Sequence, residues 1–570
     1  MSTTEASDYG TFLWLRNDLR LLDQPLLEAG YPRQAAWIYV FDPRFLSKEV
    51  RLPGDVGSLR KASARRALFL LQSVRELAVR LRKEFGAQVF VRCGNPEDEI
   101  PKVARQIGWK SWDVHCQREL GTEERDVQVR VASATAANGG QLCASWGLQF
   151  LYHPDDVQAQ LHMDPTTTLV NPHHFWYEGA DPESQVPIRA EIDFALHRDP
   201  SRFVTQAAVD LADPLGLLSL PEANALACLG YPLSEAAPAC VADTRAVVDF
   251  RGGETAALAR LEEWIQSGGL SGYYENRSGL LGAGYSSKLS PWLAAGCMSP
   301  VRFYRRIRKE TDSDSITWLI SELGWRDLFR YHLMFHGSAV FKVSGPAKAK
   351  QRSWVQDRQL FNAWCAGQTG LPYVDAHMRE LAESGFMSNT GRQLVASFLS
   401  CCLGVDWRLG AMWFEAMLID HDVSLNYGNW NREARIRWTS PYGEPDAAQV
   451  LSEEHAHFVA RLQGAAKGGE GTYDTVAFIR RWVPELELAD EENLLSRRSP
   501  PPLYEVLCHL CGTLDRESRL EQGKLLCSSC SSSCAGCGFC HGTEAPTSKV
   551  GAKRKWYCSQ CWTDWQVNGG

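Results

Sequence analysis

Residues 11–152 alternate short apolar runs with an amphipathic stretch, and no other feature restricts the fold of this chain as strongly. Between the second and third runs, the leucines of Ser58–Phe85 recur at helical spacing, with Arg and Lys on the opposite face. A helix between two apolar strands is the crossover of a βαβ unit. We therefore predict an α/β domain over residues 11–152 with a parallel, Rossmann-like sheet. The predicted strands are Thr11–Leu15, Ala35–Phe41, Gln88–Val91 and Gln149–Tyr152.

The pattern changes after residue 152 and divides the remaining chain into three segments. Residues 153–250 are rich in Pro, Asp and Ala with little periodicity, which is typical of a long connection between domains. Residues 251–490 carry Trp, Leu, Ala and Arg at helical spacing, so we predict an all-α domain there. Three consecutive prolines at 500–502 favour an extended spacer before a tail at residues 503–565.

The tail is distinguished by its cysteines, which include nine of the 18 in the chain. Eight of them form CxxC pairs, and thiolates at this spacing can bind one tetrahedral Zn²⁺ in common. Eight thiolates suit two closed structural zinc sites in a zinc-ribbon-like unit, with reduced, unligated thiols as the alternative. The spacing leaves the pairing of the ligands open. The predicted ligands are Cys508, Cys511, Cys527, Cys530, Cys534, Cys537, Cys558 and Cys561.

Charge and hydropathy limit where the protein acts and what it binds. The net charge is −8 and the pI about 6.0, so any contact with nucleic acid must come from a local basic groove. No apolar run reaches the roughly 18 residues of a membrane-spanning helix, and the first ten residues do not resemble a signal peptide. We therefore expect no membrane partner and a reducing intracellular compartment, nuclear or cytoplasmic, with organellar import left open.

Two polar features stand out in the helical region. Gly282–Ser290 is a turn of small and hydroxyl residues before a helix start, which suits a phosphate cradle or a plain helix cap. Arg392 and the pair Asp420 and Asp422 place charges in an apolar region, either as an internal salt bridge or as ligands of a polar cofactor. Three tryptophans, Trp354, Trp407 and Trp430, share no helical spacing, and each taken singly is typical of core packing.

Taken together, these stretches resemble the cryptochrome and photolyase family, and specifically its DASH branch. Their order along the chain makes chance agreement implausible. The matching stretches are Trp14–Arg20, Gly252–Leu258, Tyr285–Trp292, Trp325–Arg330, Thr369–Arg379, Gly385–Asn389, Gly391–Gln393, Val405–Arg408, Leu418–Val423 and Asn426–Trp430, and similarity resumes at Phe478–Glu485.

The resemblance implies an α/β antenna domain, a long linker and a helical domain that binds FAD. It implies that Arg392 pairs with Asp420 against the flavin, that Asp422 binds the ribose and ring edge, and that Asn426 faces flavin N5. The cofactor residues implied near the diphosphate and its neighbours are Tyr273, Ser286, Ser287, Lys288, Leu289 and Ser290, and the resemblance adds Arg326.

The resemblance also implies an electron relay and an antenna. Trp430, Trp407 and Trp354 match the tryptophans that carry an electron from the surface to photoexcited oxidised flavin. Glu119 resembles the acid that holds a folate antenna, here 5,10-methenyltetrahydrofolate, although a lone Glu at a helix start is more often a solvated charge or cap.

The implied activity is that of a deoxyribodipyrimidine photolyase, which splits cyclobutane pyrimidine dimers, here preferably in single-stranded DNA. Glu322, Trp325 and Asn389 match positions that line the lesion pocket, and Gln393 matches a DASH feature. A blue-light photoreceptor that signals through flavin photoreduction is the alternative function. The tail is not a family feature, so we expect it to bind a protein or nucleic-acid partner.

Two departures from the family pattern bear on the substrate pocket rather than on flavin binding. After Trp430 the family continues with an aromatic residue and a glycine-rich segment, whereas this chain has Asn431–Arg437. Gly324 replaces a bulkier apolar residue between Glu322 and Trp325.

Overall fold

A computed structural model describes residues 8–29, 33–161, 164–166, 186–192, 199–204, 209–311, 313–346, 353–436, 474–489 and 494, together with six short strands in the tail. No helix in these ranges is both long enough and apolar enough to cross a bilayer.

The N-terminal part contains the predicted parallel sheet, with strand order β5-β2-β1-β6-β7. The central strand β1 is buried except at its first residue, because helices cover both faces of the sheet. β3 and β4 form a separate antiparallel hairpin. The strands are β1 Tyr9–Leu15, β2 Ala35–Phe41, β3 Glu49–Arg51, β4 Ser58–Arg60, β5 Val89–Cys93, β6 Ser111–Gln117 and β7 Leu142–Ser145. The helices are α1 Ala64–Phe85, α2 Pro96–Ile107 and α3 Thr122–Ala136.

One predicted strand is wrong, and the reason is tertiary. Gln149–Tyr152 is apolar and buried, yet it forms no strand. It packs on the helical domain instead, with the Phe150 ring 5.2 Å from that of Tyr331 and the Tyr152 amide donating to Asp327 at 2.8 Å. On this side of β1 the sheet continues with β6 and ends with β7. Neither strand was predicted, because polar residues interrupt the apolar run of β6 and β7 has only four residues.

The crossover helix also begins later than predicted. Residues 58–60 form β4, and the helix starts at Ala64, where the Ser63 hydroxyl accepts a hydrogen bond from the Arg66 amide. The helix ends at Phe85, and Gly86, with a φ of 64°, forms its left-handed C-cap.

The described part of the connecting segment contains four short α-helices, of which the last two pack against α1 and the second packs against β5. They are α4 Pro154–Leu161, α5 Val209–Ala212, α6 Glu222–Cys228 and α7 Leu233–Ala239. The C-terminal part is helical, as predicted. Its helices are α8 Glu254–Gln266, α9 Tyr273–Asn276, α10 Ser290–Ala294, α11 Pro300–Ile307, α12 Asp314–His336, α13 Arg358–Cys365, α14 Pro372–Ser384, α15 Asn389–Ser397, α16 Trp407–Met417, α17 Val423–Glu433 and α18 Thr475–Trp482.

A buried carboxylate holds the two domains together. Glu254, 1% exposed at the start of α8, accepts hydrogen bonds from the amides of Leu21 and Leu22 at 2.7 and 3.0 Å. It also pairs with Arg80 on α1. Because these partners come from two elements of the α/β domain, Glu254 fixes the position of α8, which lines the candidate site.

In the tail, the described residues are six short strands: β8 Val506–Leu507, β9 Leu514–Asp515, β10 Arg519–Glu521, β11 Lys524–Leu526, β12 Ser548–Val550 and β13 Lys555–Tyr557. They pair as three antiparallel hairpins. The eight predicted zinc ligands lie outside the described residues.

Candidate functional site

The loop before α10 is built around a buried cation. Lys288 is 6% exposed and has a φ of 52°, a left-handed conformation rare for a residue with a side chain. Its Nζ donates to the Gly282 carbonyl at 3.2 Å and the Ser286 hydroxyl at 3.3 Å. Burial, and then the charge of Arg260, lower the pKa of Lys288 to about 8, although Glu380 and Asp474 act in the opposite direction.

Arg260 on α8 adds a second buried cation to the same loop. Its guanidinium donates to the carbonyls of Ala283, Ser286 and Ser287. Its ion-pair partner is Glu263 at 3.4 Å, whose side chain is 70% exposed. Burial lowers the pKa of Arg260 as it does that of Lys288. The two cations of the loop thus donate to carbonyl and hydroxyl oxygens rather than to a buried carboxylate. This uncompensated positive charge suits the binding of a diphosphate.

Leu280 and Leu281, at the start of the loop, are tied to the last described helix of the domain. Asp474, the N-cap of α18, accepts hydrogen bonds from the Leu280 amide at 3.1 Å and the Leu281 amide at 2.5 Å. The Tyr285 ring covers the turn so closely that a Cβ at Gly279 or Gly282 would overlap it. The two glycines therefore permit this folded loop.

The predicted pair of Arg392 and Asp420 is present. Arg392 Nη2 lies 2.7 Å from Asp420 Oδ2, and the Ser290 hydroxyl donates to the same oxygen at 2.6 Å. Asp420 Oδ1 is buried and has no hydrogen-bond partner among the described residues. A buried carboxylate oxygen without a donor is costly, so this atom marks where a donor group of a bound molecule fits.

Asp422 belongs to a second charged pair, which the sequence did not predict. It caps α17 by accepting from the Ser424 and Leu425 amides, and it pairs with Arg330 on α12. Burial raises the pKa of Asp422, but Arg330 and Arg326 outweigh this effect and lower it to about 2. Asp422 is therefore a carboxylate at any physiological pH.

Arg326 lies apart from the Asp420 pair. Its guanidinium donates to the carbonyls of Gln149 and Leu293, between the two domains. Burial, and then the charge of Arg330, lower the pKa of Arg326 to about 10. The side chain thus contributes to the positive charge around Asp422 while it joins α12 to the α/β domain.

Four other predicted cofactor residues occupy different surroundings. Tyr273 is buried, with its ring edge-on to Trp264 at 5.8 Å. Leu289 is fully buried beside the half-buried hydroxyl residues of the loop. Asn426 is 8% exposed, and its Nδ2 donates to the Ala411 carbonyl at 2.9 Å, which leaves the amide oxygen as its remaining polar group. Glu119 lies in the α/β domain after β6, where Gln117 donates to it at 3.3 Å.

Two of the three predicted relay tryptophans are buried, and the third is half-buried. Trp430 is 2% exposed, and its Nε1 has no hydrogen-bond partner among the described residues. A Cβ at Gly410 would overlap the Trp430 ring, so the glycine allows α16 and α17 to approach closely. Trp407 is fully buried and donates to the Val343 carbonyl at 3.2 Å, whereas Trp354 is half-buried.

Trp354 and Trp407 lie on paired segments of the chain. The Val355 amide donates to the Gly404 carbonyl at 2.8 Å, and the Asp406 amide donates to the Val355 carbonyl at 3.0 Å. These two bonds hold the residue after Trp354 against the residues before Trp407.

An exposed rim of aromatic and charged side chains lies on α9, α12 and α17. Trp325 is 39% exposed with the Arg432 guanidinium 5.6 Å from its ring, and Glu322 accepts from the Trp318 indole at 3.1 Å. Three other rim residues were not predicted from the sequence. They are Tyr274, Trp318 and Arg277, of which Arg277 lies over both rings. Asn389 is exposed and Gln393 half-buried on α15.

Aromatic residues outside the apolar stripe of α12 could have revealed this rim, because an apolar side chain at a solvent-facing helix position suggests binding.

For the zinc prediction, no cluster of three or more His, Cys, Asp or Glu side chains suited to a metal occurs in the part of the chain that the structure describes.

Comparison with known proteins agrees with this arrangement. Residues 11–187 match the family described as DNA photolyase, and residues 318–503 match the FAD binding domain of DNA photolyase. The chain is 36% identical over 482 residues to the Natronomonas pharaonis protein named cryptochrome DASH, covering 83% of this chain and 90% of that protein. The Synechocystis protein of the same name is 37% identical over 484 residues, covering 83% and 87%.

Among solved structures, that of Synechocystis cryptochrome aligns with a TM-score of 0.68 at 33% identity, covering 87% of this chain and 92% of that one. The buried cations of the loop and the open oxygen of Asp420 fit the diphosphate and the donor groups of FAD. The chain therefore belongs to the cryptochrome and photolyase family, in its DASH group, and is an FAD-dependent member of that family.

Proposed function

We propose that this protein is a blue-light-dependent photolyase-type lyase that repairs cyclobutane pyrimidine dimers, preferentially in single-stranded DNA. One observation carries the proposal: α12 presents residues to both the cofactor site and the exposed rim. Arg330 on this helix pairs with the buried Asp422, while Trp325 on the same helix is 39% exposed. A base held on the rim would thus lie one helix away from the cofactor.

In this proposal each element of the site has a binding task. Bound FAD, when reduced and excited by light, supplies the electron that opens the dimer. Lys288 and the hydroxyls of Ser286 and Ser287 would hold the diphosphate, and the ion pair with Arg392 would fix the Asp420 carboxylate where a donor group of the cofactor binds. Asn426 offers its amide oxygen to a donor at the ring edge, since its nitrogen already binds the Ala411 carbonyl.

The rim provides the surface that a flipped dimer needs. Trp325 offers an exposed ring for stacking, and Arg432 and Arg277 bring positive charge to a protein whose net charge is −8. Taking a dimer out of the stack costs least where the duplex is absent, which favours single-stranded substrates. Asn389 and Gln393 on α15 complete the set of proposed DNA contacts.

The test is to illuminate the reduced full-length protein with a single-stranded oligonucleotide that carries one cyclobutane thymine dimer. We expect monomeric thymines to accumulate in the light and not in the dark, and faster than from the same dimer in a duplex. Trp325→Leu should reduce repair, and Trp482→Phe, which changes a buried ring on α18, should not. If no thymine is recovered although reduced FAD and DNA are bound, repair is rejected.

That result would favour the second candidate, a photoreceptor. The presence of two buried tryptophans, Trp430 and Trp407, and one half-buried tryptophan, Trp354, supports it, because such a set can carry an electron from solvent to photoexcited flavin. Photoreduction would change the charge beside the Arg392–Asp420 pair, and the resulting shift in conformation would be read by a partner.

Three further assignments belong to this proposal. Glu119 binds a 5,10-methenyltetrahydrofolate antenna, which would add near-ultraviolet absorbance to the purified protein. The cysteines of the tail hold two structural Zn²⁺ ions and present a surface to a protein or nucleic-acid partner. The protein acts inside the cell, in the nucleus or cytoplasm, and imaging of a fluorescent fusion tests this.

A further inference from the structure

Tyr427 lies beside the middle tryptophan of the relay, and the function proposed above gives it no role. Its ring is buried on α17, with its centroid 6.3 Å from that of Trp407 and the planes at 80°. Phe341 packs on another side of the phenol at 4.8 Å. The phenol is thus in contact with Trp407 and shielded from water.

The Tyr427 hydroxyl donates to a carboxylate. Its oxygen lies 2.8 Å from Glu415 Oε2. Two other buried tyrosines, Tyr231 and Tyr331, donate instead to backbone carbonyls, which are poor proton acceptors. This difference matters because a phenol that loses an electron becomes a very strong acid and needs a base within hydrogen-bond reach.

Glu415 is held as an ionised base by its neighbours. Burial raises its pKa, but His421, Lys61 and the Tyr427 hydroxyl together lower it. Burial lowers the pKa of His421 to about 3, so that imidazole is uncharged at neutral pH and the Lys61 ammonium is the cation that keeps Glu415 ionised there. Lys61 Nζ lies 2.7 Å from Glu415 Oε1 and also 2.7 Å from Glu123, whose side chain is 59% exposed. The carboxylate therefore has a polar connection to the surface through two further charged groups.

We propose that Tyr427 is a branch donor of the relay, with Glu415 as its proton acceptor. The step follows oxidation of Trp407, for which photoexcited oxidised flavin is the ultimate electron acceptor through Trp430. One electron passes from the Tyr427 ring to the oxidised indole, which returns to neutral tryptophan. The phenolic O–H bond breaks, the proton forms a new O–H bond with Glu415 Oε2, and a neutral tyrosyl radical remains.

This inference rests on the proposed relay and adds a second final electron donor to it, Tyr427 in addition to Trp354. Return of an electron to the neutral tyrosyl radical also requires the proton to leave Glu415 Oε2, so recombination with the reduced cofactor becomes a coupled transfer of an electron and a proton and is slower. The branch would therefore extend the life of the charge-separated state without exposing an oxidised side chain at the surface, as Trp354 does.

The experiment uses the full-length protein with oxidised FAD, prepared with ring-deuterated tyrosine for radical assignment by electron paramagnetic resonance. After a blue pulse, we expect a tyrosyl signal that forms as the tryptophanyl signal decays, and more slowly in D₂O. Tyr427→Phe should remove the tyrosyl signal and prolong the tryptophanyl signal. Glu415→Gln should slow tyrosyl formation by about 100-fold or more, the usual effect of a lost general base.

Tyr373→Phe is the matched control, since Tyr373 is a buried tyrosine whose ring contacts His377 and Phe478 rather than a relay tryptophan. It should leave both signals unchanged. A readout without cofactor is the ¹³C shift of the Tyr427 phenolic carbon, which should change in Glu415→Gln. Should that variant not fold, Glu415→Asp, which withdraws the carboxylate by one methylene, takes its place.

The results distinguish failure of the tyrosine branch from failure of the tryptophan relay. A tryptophanyl signal without any tyrosyl signal in the unaltered protein, or a tyrosyl signal that survives Tyr427→Phe, overturns the branch alone. If neither a tryptophanyl nor a tyrosyl signal forms in the unaltered protein with FAD bound, the relay on which the branch depends is rejected.

Discussion

Replacing Lys288 by Met should stabilise the FAD-free protein and weaken FAD binding. The two side chains have similar length and flexibility, so the substitution removes the ammonium charge while it keeps most of the packing. Lys288 is 6% exposed, and carbonyl and hydroxyl oxygens surround it. Its charge is thus held in the protein before any anion arrives.

The magnitude follows from the pKa of Lys288, which falls from 10.5 to about 8. At about 1.36 kcal/mol per pKa unit, holding the ammonium in the folded protein costs about 3 kcal/mol at pH 7. Loss of two hydrogen bonds, each worth about 1 kcal/mol, offsets part of this gain. The net expectation for Lys288→Met is therefore a rise of about 1 kcal/mol in the free energy of unfolding.

The pH dependence has a definite sign. Because the pKa of Lys288 is lower in the folded than in the unfolded state, the unfolded chain binds more protons between pH 8 and 10.5. The original protein should therefore gain stability over this interval, by up to about 3 kcal/mol, while Lys288→Met lacks this gain. Groups common to both proteins cancel in the difference.

Urea denaturation of the FAD-free proteins between pH 7 and 10.5 measures the stability difference, and fluorescence titration measures FAD affinity. Loss of a charge-assisted hydrogen bond of about 1.5–3 kcal/mol should weaken FAD binding by about 10-fold to 100-fold. Lys61→Met is the matched control. Lys61 is a half-buried lysine whose pKa is raised by Glu415 and Glu123 against the effect of burial, so this variant should lose stability.

Destabilisation of the FAD-free protein by Lys288→Met, together with unchanged FAD affinity, would refute the reasoning. It would mean that the ammonium is already compensated in the empty site, by Glu380 and Asp474 or by water, and that the loop is not built for an anion.

Three further predictions concern other parts of the molecule. Asp422→Asn should lower the free energy of unfolding at pH 7 by about 2 kcal/mol or more, because the pKa of Asp422 falls from 3.8 to about 2 on folding and Arg330 would lose its partner. In acid denaturation of the original protein, the stabilisation by the Asp422 carboxylate should disappear as the pH falls from 4 to 2. Trp407→Phe should abolish flavin photoreduction under continuous blue light, and Trp482→Phe should leave it intact; unchanged photoreduction in Trp407→Phe would reject the relay. Metal analysis should find two Zn²⁺ per chain, lost together when residues 503–570 are removed while FAD is retained, and a metal-free tail would reject the zinc sites.

Sequence periodicity predicted the sheet of the α/β domain where strands are apolar on both faces, as in β1 and β2. It failed at β6, because the polar side chains in Ser111–Gln117 interrupt the apolar run. It also failed at Gln149–Tyr152, where apolar character serves contact between domains. A single apolar run does not reveal whether its partner is a neighbouring strand or a distant helix.

For the candidate site, groups of residues that are contiguous in the sequence could be predicted, and partners distant in the sequence could not. The Gly282–Ser290 loop is contiguous, so its composition alone suggested an anion site. Arg260 contributes to that site from α8, and nothing in its own sequence context indicated this. The Arg330–Asp422 pair joins residues separated by 92 positions. Charges were visible in the sequence, but their partners follow from how α12 and α17 pack.

The charges of the site fall into two groups with different consequences for the cofactor. Around Asp420 and Asp422, each carboxylate already has an arginine partner, so the field there is set before FAD binds. Around Lys288 and Arg260, the cations rest on carbonyl dipoles, so the arrival of an anion changes the energy of the loop itself. Because Asp474 ties the start of this loop to α18, FAD binding at the diphosphate end should stabilise α18 as well, although the helix contributes no residue that we assign to the cofactor.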